Sequence, residues 1–235
     1  MSVLLLRLAG PLQSWGSAAR FARRTTEAAP TKSGVIGLLA AALGRPRTHD
    51  PSDLAALRFG VRVDQRGTPL RDFQTAHDMD SGGAMPVSER FYLADAVFVA
   101  AVEGPHGQLS DLHRALERPG FLPYLGRRSC PPSLPIDLRL REDANLETAL
   151  KAERWHASDW HQWRRRKEQR VELEVLIEVN GQNERVDTLR DQPISYDPAH
   201  RRYALRGVRR FSVTVPNPRA AHDIEHDPTT VLRSE

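Results

Sequence analysis

The chain has 235 residues, 40% of them hydrophobic and 27% charged, which is enough to bury a core and too apolar for wholesale disorder. The formal net charge is only +4, with a pI near 9.6, so the placement of cations says more than their sum. One cysteine, Cys130, excludes an internal disulfide and a multi-cysteine zinc site. The longest apolar run, Val35–Leu43, falls short of the ~20 residues that cross a bilayer. With no signal-peptide pattern at the start, the expectation is a cytoplasmic protein without a membrane partner.

Val3–Leu8 is predicted as a buried strand ended by Gly10-Pro11. An Arg-bearing loop with Arg20, Arg23 and Arg24 follows, and Pro30-Thr31-Lys32-Ser33-Gly34 opens a helix over Lys32–Leu43, stopped by Gly44 and Pro46. A helical turn near Ser52–Leu57 and a strand at Phe59–Val63 come next. Residues 67–90, with Gly82-Gly83 and Met79 and Met85, read as a long hairpin excursion. A strand at Ala96–Val102, a helix at Leu109–Glu117 and a strand at Ile136–Leu140 complete a β-α-β-insert-β-α-β order. That order is the split βαβ or ferredoxin-like arrangement, an α+β fold whose sheet is expected to leave one face open as a platform.

Beyond it, Ala144–Arg170 reads as helical or irregular and Val171–Val179 as a strand turned by Asn180-Gly181. Tyr203–Leu205 and Arg210–Val215 are predicted strands, and the polar, Pro- and His-bearing stretch from Pro216 reads as a loosely held tail. The expected division is 1–142, a smaller β-rich region at 143–216 and a tail at 217–235.

Between Arg7 and Arg47 the basic residues are Arg7, Arg20, Arg23, Arg24, Lys32, Arg45 and Arg47, against one acid, Glu27. Backbone N–H groups at a helix start together with such cations suit a phosphate or a polynucleotide backbone. Lys32-Ser33 is not a Walker A motif, because its two glycine positions hold Thr26 and Thr31. The plainer reading is that Thr31 or Ser33 caps the helix.

A second cationic loop spans Phe121–Pro132, with no acid between Arg118 and Asp137. Tyr124 offers a ring for base stacking, worth ~1–3 kcal/mol where it occurs. Gly126 allows close backbone approach. The alternative is a proline-locked connection whose arginines are solvated. Trp155, Trp160 and Trp163 beside Arg164–Lys167 suit either nucleic acid or packing against a second region, and Arg201, Arg202, Arg206, Arg209 and Arg210 read as a solvated strand face. The nine histidines give no metal site by spacing; His77 and His113 are possible general bases without an evident partner.

Five segments, Leu6–Gly16 (LRLAGPLQSWG), Pro30–Leu39 (PTKSGVIGLL), Leu70–Thr75 (LRDFQT), Glu89–Ala96 (ERFYLADA) and Tyr124–Pro131 (YLGRRSCP), together resemble the CasD family, a subunit of the type I-E CRISPR Cascade complex. The resemblance covers most of residues 3–135 and fades beyond about 140. It implies an RNA-binding ferredoxin-like (RRM-like, RAMP) domain with a protruding thumb hairpin and a smaller C-terminal β-rich part. Family members hold the 5′ handle of CRISPR RNA, contact the CasC backbone and the large subunit CasA, and meet target DNA through the assembled complex. CasE cuts the precursor RNA in that system, so no catalytic residue, cofactor or metal is expected here. In some other subtypes the related protein is the processing nuclease, which leaves a metal-independent endoribonuclease as the alternative.

On this reading the RNA lies over Arg20, Arg23, Arg24, Thr31, Lys32, Ser33 and Gly34, with Arg71, Gln74, His77 and Arg90 from the insert. Tyr124, Gly126, Arg127, Arg128 and Ser129 supply the second loop. The 67–90 insert, tipped by Met79 and Met85, serves as the thumb.

Overall fold

The computed structural model describes residues 1–16, 23–179 and 186–221. Strand β1 (Ser2–Ala9) runs through the short β2 (Leu12–Gln13) and β3 (Arg23–Arg24) to helix α1 (Lys32–Ala42). Helix α2 (Ser52–Ala55) precedes β4 (Arg58–Gln65), and then β5 (Thr68–Gln74) and β6 (Ser88–Ala94) make an arm. Strand β7 (Val97–Gly104), helix α3 (His106–Glu117) and β8 (Asp137–Arg141) follow. The remainder is α4 (Leu146–Ala152), α5 (Asp159–Arg164), β9 (Arg170–Glu178), β10 (Asp187–Ser195) and β11 (Arg202–Pro216).

Seven strands form one antiparallel sheet in the order β10-β11-β9-β4-β7-β1-β8. It crosses position 142 without a break, because β9 pairs with β4 at Gly60↔Ile177, Val61↔Leu176 and Arg62↔Val175. The expected strands and helices of the first half all form, with α3 starting three residues early at His106. In the second half, β11 is one continuous strand where two were expected, and β10 had not been foreseen. The Asn180-Gly181 turn lies outside the described residues.

The expected open sheet face is not open. On one face Leu4, Leu6 and Leu8 of β1 join Val35, Ile36 and Leu39 of α1 and Leu109 and Leu112 of α3. On the other, Val3 and Leu5 join Leu146, Ala149 and Leu150 of α4, Trp155, and Val171, Leu173, Val175 and Ile177 of β9. The uninterrupted Val3-Leu4-Leu5-Leu6 run is the pattern of a strand buried on both sides, since a half-exposed strand alternates.

A buried polar seam fixes α4 to this second face. Arg62 of β4, fully buried, grips both carboxylate oxygens of Asp64 (2.7 and 2.9 Å) and donates to the carbonyls of Leu150, Glu153 and Arg154, each at 2.6 Å. Leu150 and Glu153 lie at the end of α4, where carbonyls lack helical partners, and Arg154 follows its C-cap. Trp155 Nε1 donates to the Asp64 carbonyl and His156 N to its carboxylate. The segment read as a loose tail is tied down at its start: Asn217 is buried and donates to the carbonyls of Gln162 and Arg165. Residues 222–235 lie outside the described part.

Candidate nucleic-acid interface

The loop after β1 organises the region. Gln13, wholly buried, donates to the carbonyls of Leu8 and Ala96 and accepts from Trp15 Nε1 at 3.0 Å. Trp15 is buried against α1, where a Cβ on Gly34 would stand 2.7 Å from its ring. Ser14 joins two distant segments, its Oγ donating to the Phe91 carbonyl (3.0 Å) and its N–H to the Leu125 carbonyl (3.1 Å).

The 124–130 loop closes on itself through Leu125 N–H to Cys130 O (2.7 Å) and Cys130 N–H to Arg127 O (2.9 Å). Gly126 has φ +86°, and a Cβ there would fall 1.8 Å from the Ser14 carbonyl oxygen. Its freedom is therefore used by the chain's own backbone, and the close approach expected for a ligand is taken by Ser14. Burial pushes the Cys130 thiol up from its ordinary value, although the Ser129 hydroxyl and Arg127 act against the shift.

Arg127 bridges this loop to the arm. Its guanidinium donates to the Phe91 carbonyl (3.2 Å) and the Arg24 carbonyl (2.7 Å) and lies 4.9 Å from the Tyr92 ring centroid. Strand β3 pairs with β6 at Arg24↔Arg90, and Arg24 and Arg128 are exposed. Arg24, Arg90, Arg127 and Arg128, from three separated stretches, thus come together around β6. Tyr124 stands half-buried nearby, its hydroxyl accepting from Arg47 at 3.4 Å. Arg47 had not been included among the candidates.

The helix start is different. Lys32 is 1% exposed and its ammonium binds Glu178 at 2.8 and 3.1 Å, while its backbone N–H donates to Asp191 Oδ2 at 2.8 Å. Burial lowers the Lys32 pKa, opposed by Glu178. Thr31 caps the helix by accepting from Gly34 N–H, Ser33 is buried, and Tyr196 donates to the Ser33 carbonyl at 2.6 Å. An anion does sit at this helix N-terminus, as the sequence chemistry implied. It is Asp191, which is also held by two bonds to Arg206 (2.7 and 2.9 Å). Thr31, Lys32 and Ser33 are therefore withdrawn from the interface, and Arg206 is not part of a solvated strand face.

The hairpin expected over 67–90 forms, with β5 and β6 paired from Thr68↔Ala94 to Gln74↔Ser88 and a bridge at His77↔Ala84. Met79 is 95% exposed, and Phe73, Met85 and Val87 also face outward. Arg71 lies opposite Phe91, so it shares a face with Glu89, to which it is paired at 2.5 Å, and points away from Arg90 and Tyr92. Arg71 and Arg127 therefore lie on opposite faces of the arm, and Lys32, Arg71 and Arg127 do not converge. Gln74 donates to Asp72, and His77 is exposed with Nδ1 3.4 Å from the Gly82 carbonyl. Arg20 lies outside the described residues, and only the backbone of Arg23 is described.

The tryptophans divide. Trp155 is buried in the second core, whereas Trp160 and Trp163 are each 54% exposed, the latter under the Arg166 guanidinium at 4.2 Å. Trp160 borders a cleft of about 890 Å³ that Arg7, Arg154 and Arg219 also line. For metal, His113, Glu117 and Asp137 bring their ligand atoms within 4.8 Å of one another, a grouping that sequence spacing alone did not reveal.

Comparison with known proteins adds independent information. The family model described as "CRISPR-associated protein (Cas_Cas5)" matches residues 3–209, well past the reach of the sequence resemblance. "CRISPR system Cascade subunit CasD" of Escherichia coli (strain K12) is 39% identical over 170 residues, which is 63% of this chain and 75% of that protein. A solved structure titled "Crystal structure of Cas protein" is 38% identical with a TM-score of 0.67, over 94% of this chain and 98% of that one. A chain of a "CRISPR RNA-guided surveillance complex" is 31% identical with a TM-score of 0.75, over 98% of each.

Proposed function

Since the chain belongs to the CRISPR-associated Cas5 family, we propose that it is the non-catalytic subunit of a type I-E surveillance complex that binds the 5′ handle of CRISPR RNA and caps the backbone filament. Residues 1–142 would be the ferredoxin-like RNA-binding part, a reading supported by the β8-β1-β7-β4 strand order and by α1 and α3 sharing one core. Residues 143–216 extend its sheet. CasC, CasA and, through the assembly, target DNA are the proposed partners.

The observation that carries the reading is the Arg127 bridge. One guanidinium ties the 126–128 loop to Arg24 and to β6, which concentrates four arginines around β6, outside the seven-stranded sheet whose faces are filled. The β5–β6 arm, with its outward Phe73, Met79 and Met85, is the proposed thumb, able to wedge between unstacked bases. Tyr124 is the stacking candidate.

Arg24 and Arg128 are exposed, so Arg24→Ala with Arg128→Ala removes charge without opening a core. The double variant is expected to weaken binding of repeat-derived handle RNA and to flatten the slope of log affinity against log salt by about 1.4, or ~0.7 per lost phosphate contact on a single strand. An unchanged affinity and slope would remove the patch from the interface. Incubation with repeat RNA in chelator tests the enzymatic alternative, since site-specific cleavage abolished by His77→Ala would overturn the non-catalytic assignment.

A further inference from the structure

Three metal-ligating side chains converge at the C-terminal end of α3, among residues to which the proposed RNA interface assigns no role. His113 and Glu117 are one turn apart, a spacing that stacks them on one helix face. Asp137 opens β8, the edge strand of the large sheet, against which α3 packs. The three ligand atoms lie within 4.8 Å of one another, and His113 Nε2 is 3.9 Å from Asp137 Oδ2. That separation exceeds a hydrogen bond, so imidazole and carboxylate face a shared space without closing on each other. His113 and Asp137 are half-buried and held by the helix–strand packing; Glu117 is exposed and free to swing. Arg7, which donates to the Pro135 carbonyl, is attracted by Asp137 and repelled by Arg154.

We propose that His113, Glu117 and Asp137 bind one divalent first-row transition ion of the zinc or cobalt type, which clamps α3 to β8. One imidazole and two carboxylates form a borderline-to-hard donor set, suited to these ions and unsuited to soft ones. Bonds of about 2.0–2.2 Å to three protein ligands leave a fourth position for water. Closing the triangle around an ion brings Glu117 inward and draws His113 and Asp137 a few tenths of an ångström nearer than their 3.9 Å. A simple His113–Asp137 ion pair accounts for two of these residues but gives no role to a second carboxylate in the same space. A dication relieves the repulsion between the two carboxylates and adds a link where the sheet has a strand on one side only.

The test uses the full-length chain, stripped with chelator and dialysed, then titrated with Co²⁺ while the visible d–d bands are followed, and with Zn²⁺ in thermal unfolding. The expected result is one Co²⁺ per chain and a Tm increase of roughly 5–10 °C at Zn²⁺ about 100-fold above its Kd. Both signals should vanish in His113→Ala with Asp137→Asn and persist in His77→Ala. Should the double variant fail to fold, Glu117→Gln alters only an exposed side chain and is expected to bind at least tenfold more weakly. No binding at millimolar ion, or undiminished affinity in either altered protein, overturns the proposal.

Discussion

Arg62→Met probes the seam that closes the second sheet face. All five N–H donors of Arg62 are used: two on Asp64 and three on the carbonyls of Leu150, Glu153 and Arg154. Methionine keeps much of the volume and supplies no donor. Asp64, fully buried, would keep its bond from His156 N–H but lose Arg62, its ion-pair partner. Removing one member of a buried pair costs ~3–5 kcal/mol, and an unsatisfied buried carbonyl adds ~1–3 kcal/mol. Water can reach the exposed Arg154 end, so the expected loss is about 4–6 kcal/mol, or roughly 10–20 °C in Tm. Urea unfolding should show a lower midpoint at constant slope. Arg62→Met with Asp64→Leu should recover half or more of the loss, because the stranded charge is gone. A single-variant loss under about 1 kcal/mol would refute the reasoning, as would a double variant no better than the single.

Three further outcomes are expected. Gly126→Ala puts a Cβ 1.8 Å from the Ser14 carbonyl at a φ of +86°, so it should cost at least ~2–4 kcal/mol and weaken RNA binding more than Arg128→Ala does; wild-type melting would contradict the loop geometry. Lys32→Met should lower stability by ~2–4 kcal/mol yet leave the salt slope of RNA binding unchanged, since its ammonium is committed to Glu178; a flattened slope would return Lys32 to the interface. Glu153 is held at about 2 against an ordinary 4.5: burial raises it, but bonds from His156 and Arg141 and the charge of Arg139 prevail. A depressed carboxylate stabilises the fold above its unfolded pKa, so ~3 kcal/mol should drain away as pH falls from about 4.5 towards 2. Glu153→Gln should flatten that acid limb, and an unchanged limb would show that another group titrates.

Much of the first half was legible because its signals are local. The apolar run at Val3–Leu6, the Thr31 cap with Gly44 beyond the helix, and the glycines of the 67–90 insert each act within a few residues. What escaped depends on partners far along the chain. Strand β10 contains Arg190, Asp191 and Pro193 and does not read as a strand, yet Leu189, Asp191 and Pro193 alternate inward, and Asp191 finds its cations in Arg206 and the start of α1. Likewise the predicted strands stop at Leu205 and resume at Arg210, though Gly207 between them pairs with Thr188 inside a continuous strand. The open platform was misread for a topological reason: the β-α-β-insert-β-α-β order covers one face only, and the cover of the other comes from α4 and Trp155, more than 40 residues beyond β7.

These long-range pairings also decide where a polyanion can bind. A cationic cluster counted along the sequence mixes arginines and lysines that are neutralised inside the fold with those left outside it. Lys32, Arg62 and Arg206 are each buried against a carboxylate of their own chain, whereas Arg24 and Arg128 are exposed. With both sheet faces packed and the α1 terminus occupied by Asp191, exposed Arg24 and Arg128 and half-buried Arg90 surround the Arg127 bridge beside the arm. That patch is assembled from residues near 24, 90 and 127, and Ser14 and Gly126 are the contacts that hold the pieces in register. Substitutions at Ser14 should therefore lower RNA affinity without removing any charge: the number of phosphates contacted, read from the salt slope, would fall together with stability, whereas Arg24→Ala and Arg128→Ala should lower the slope alone.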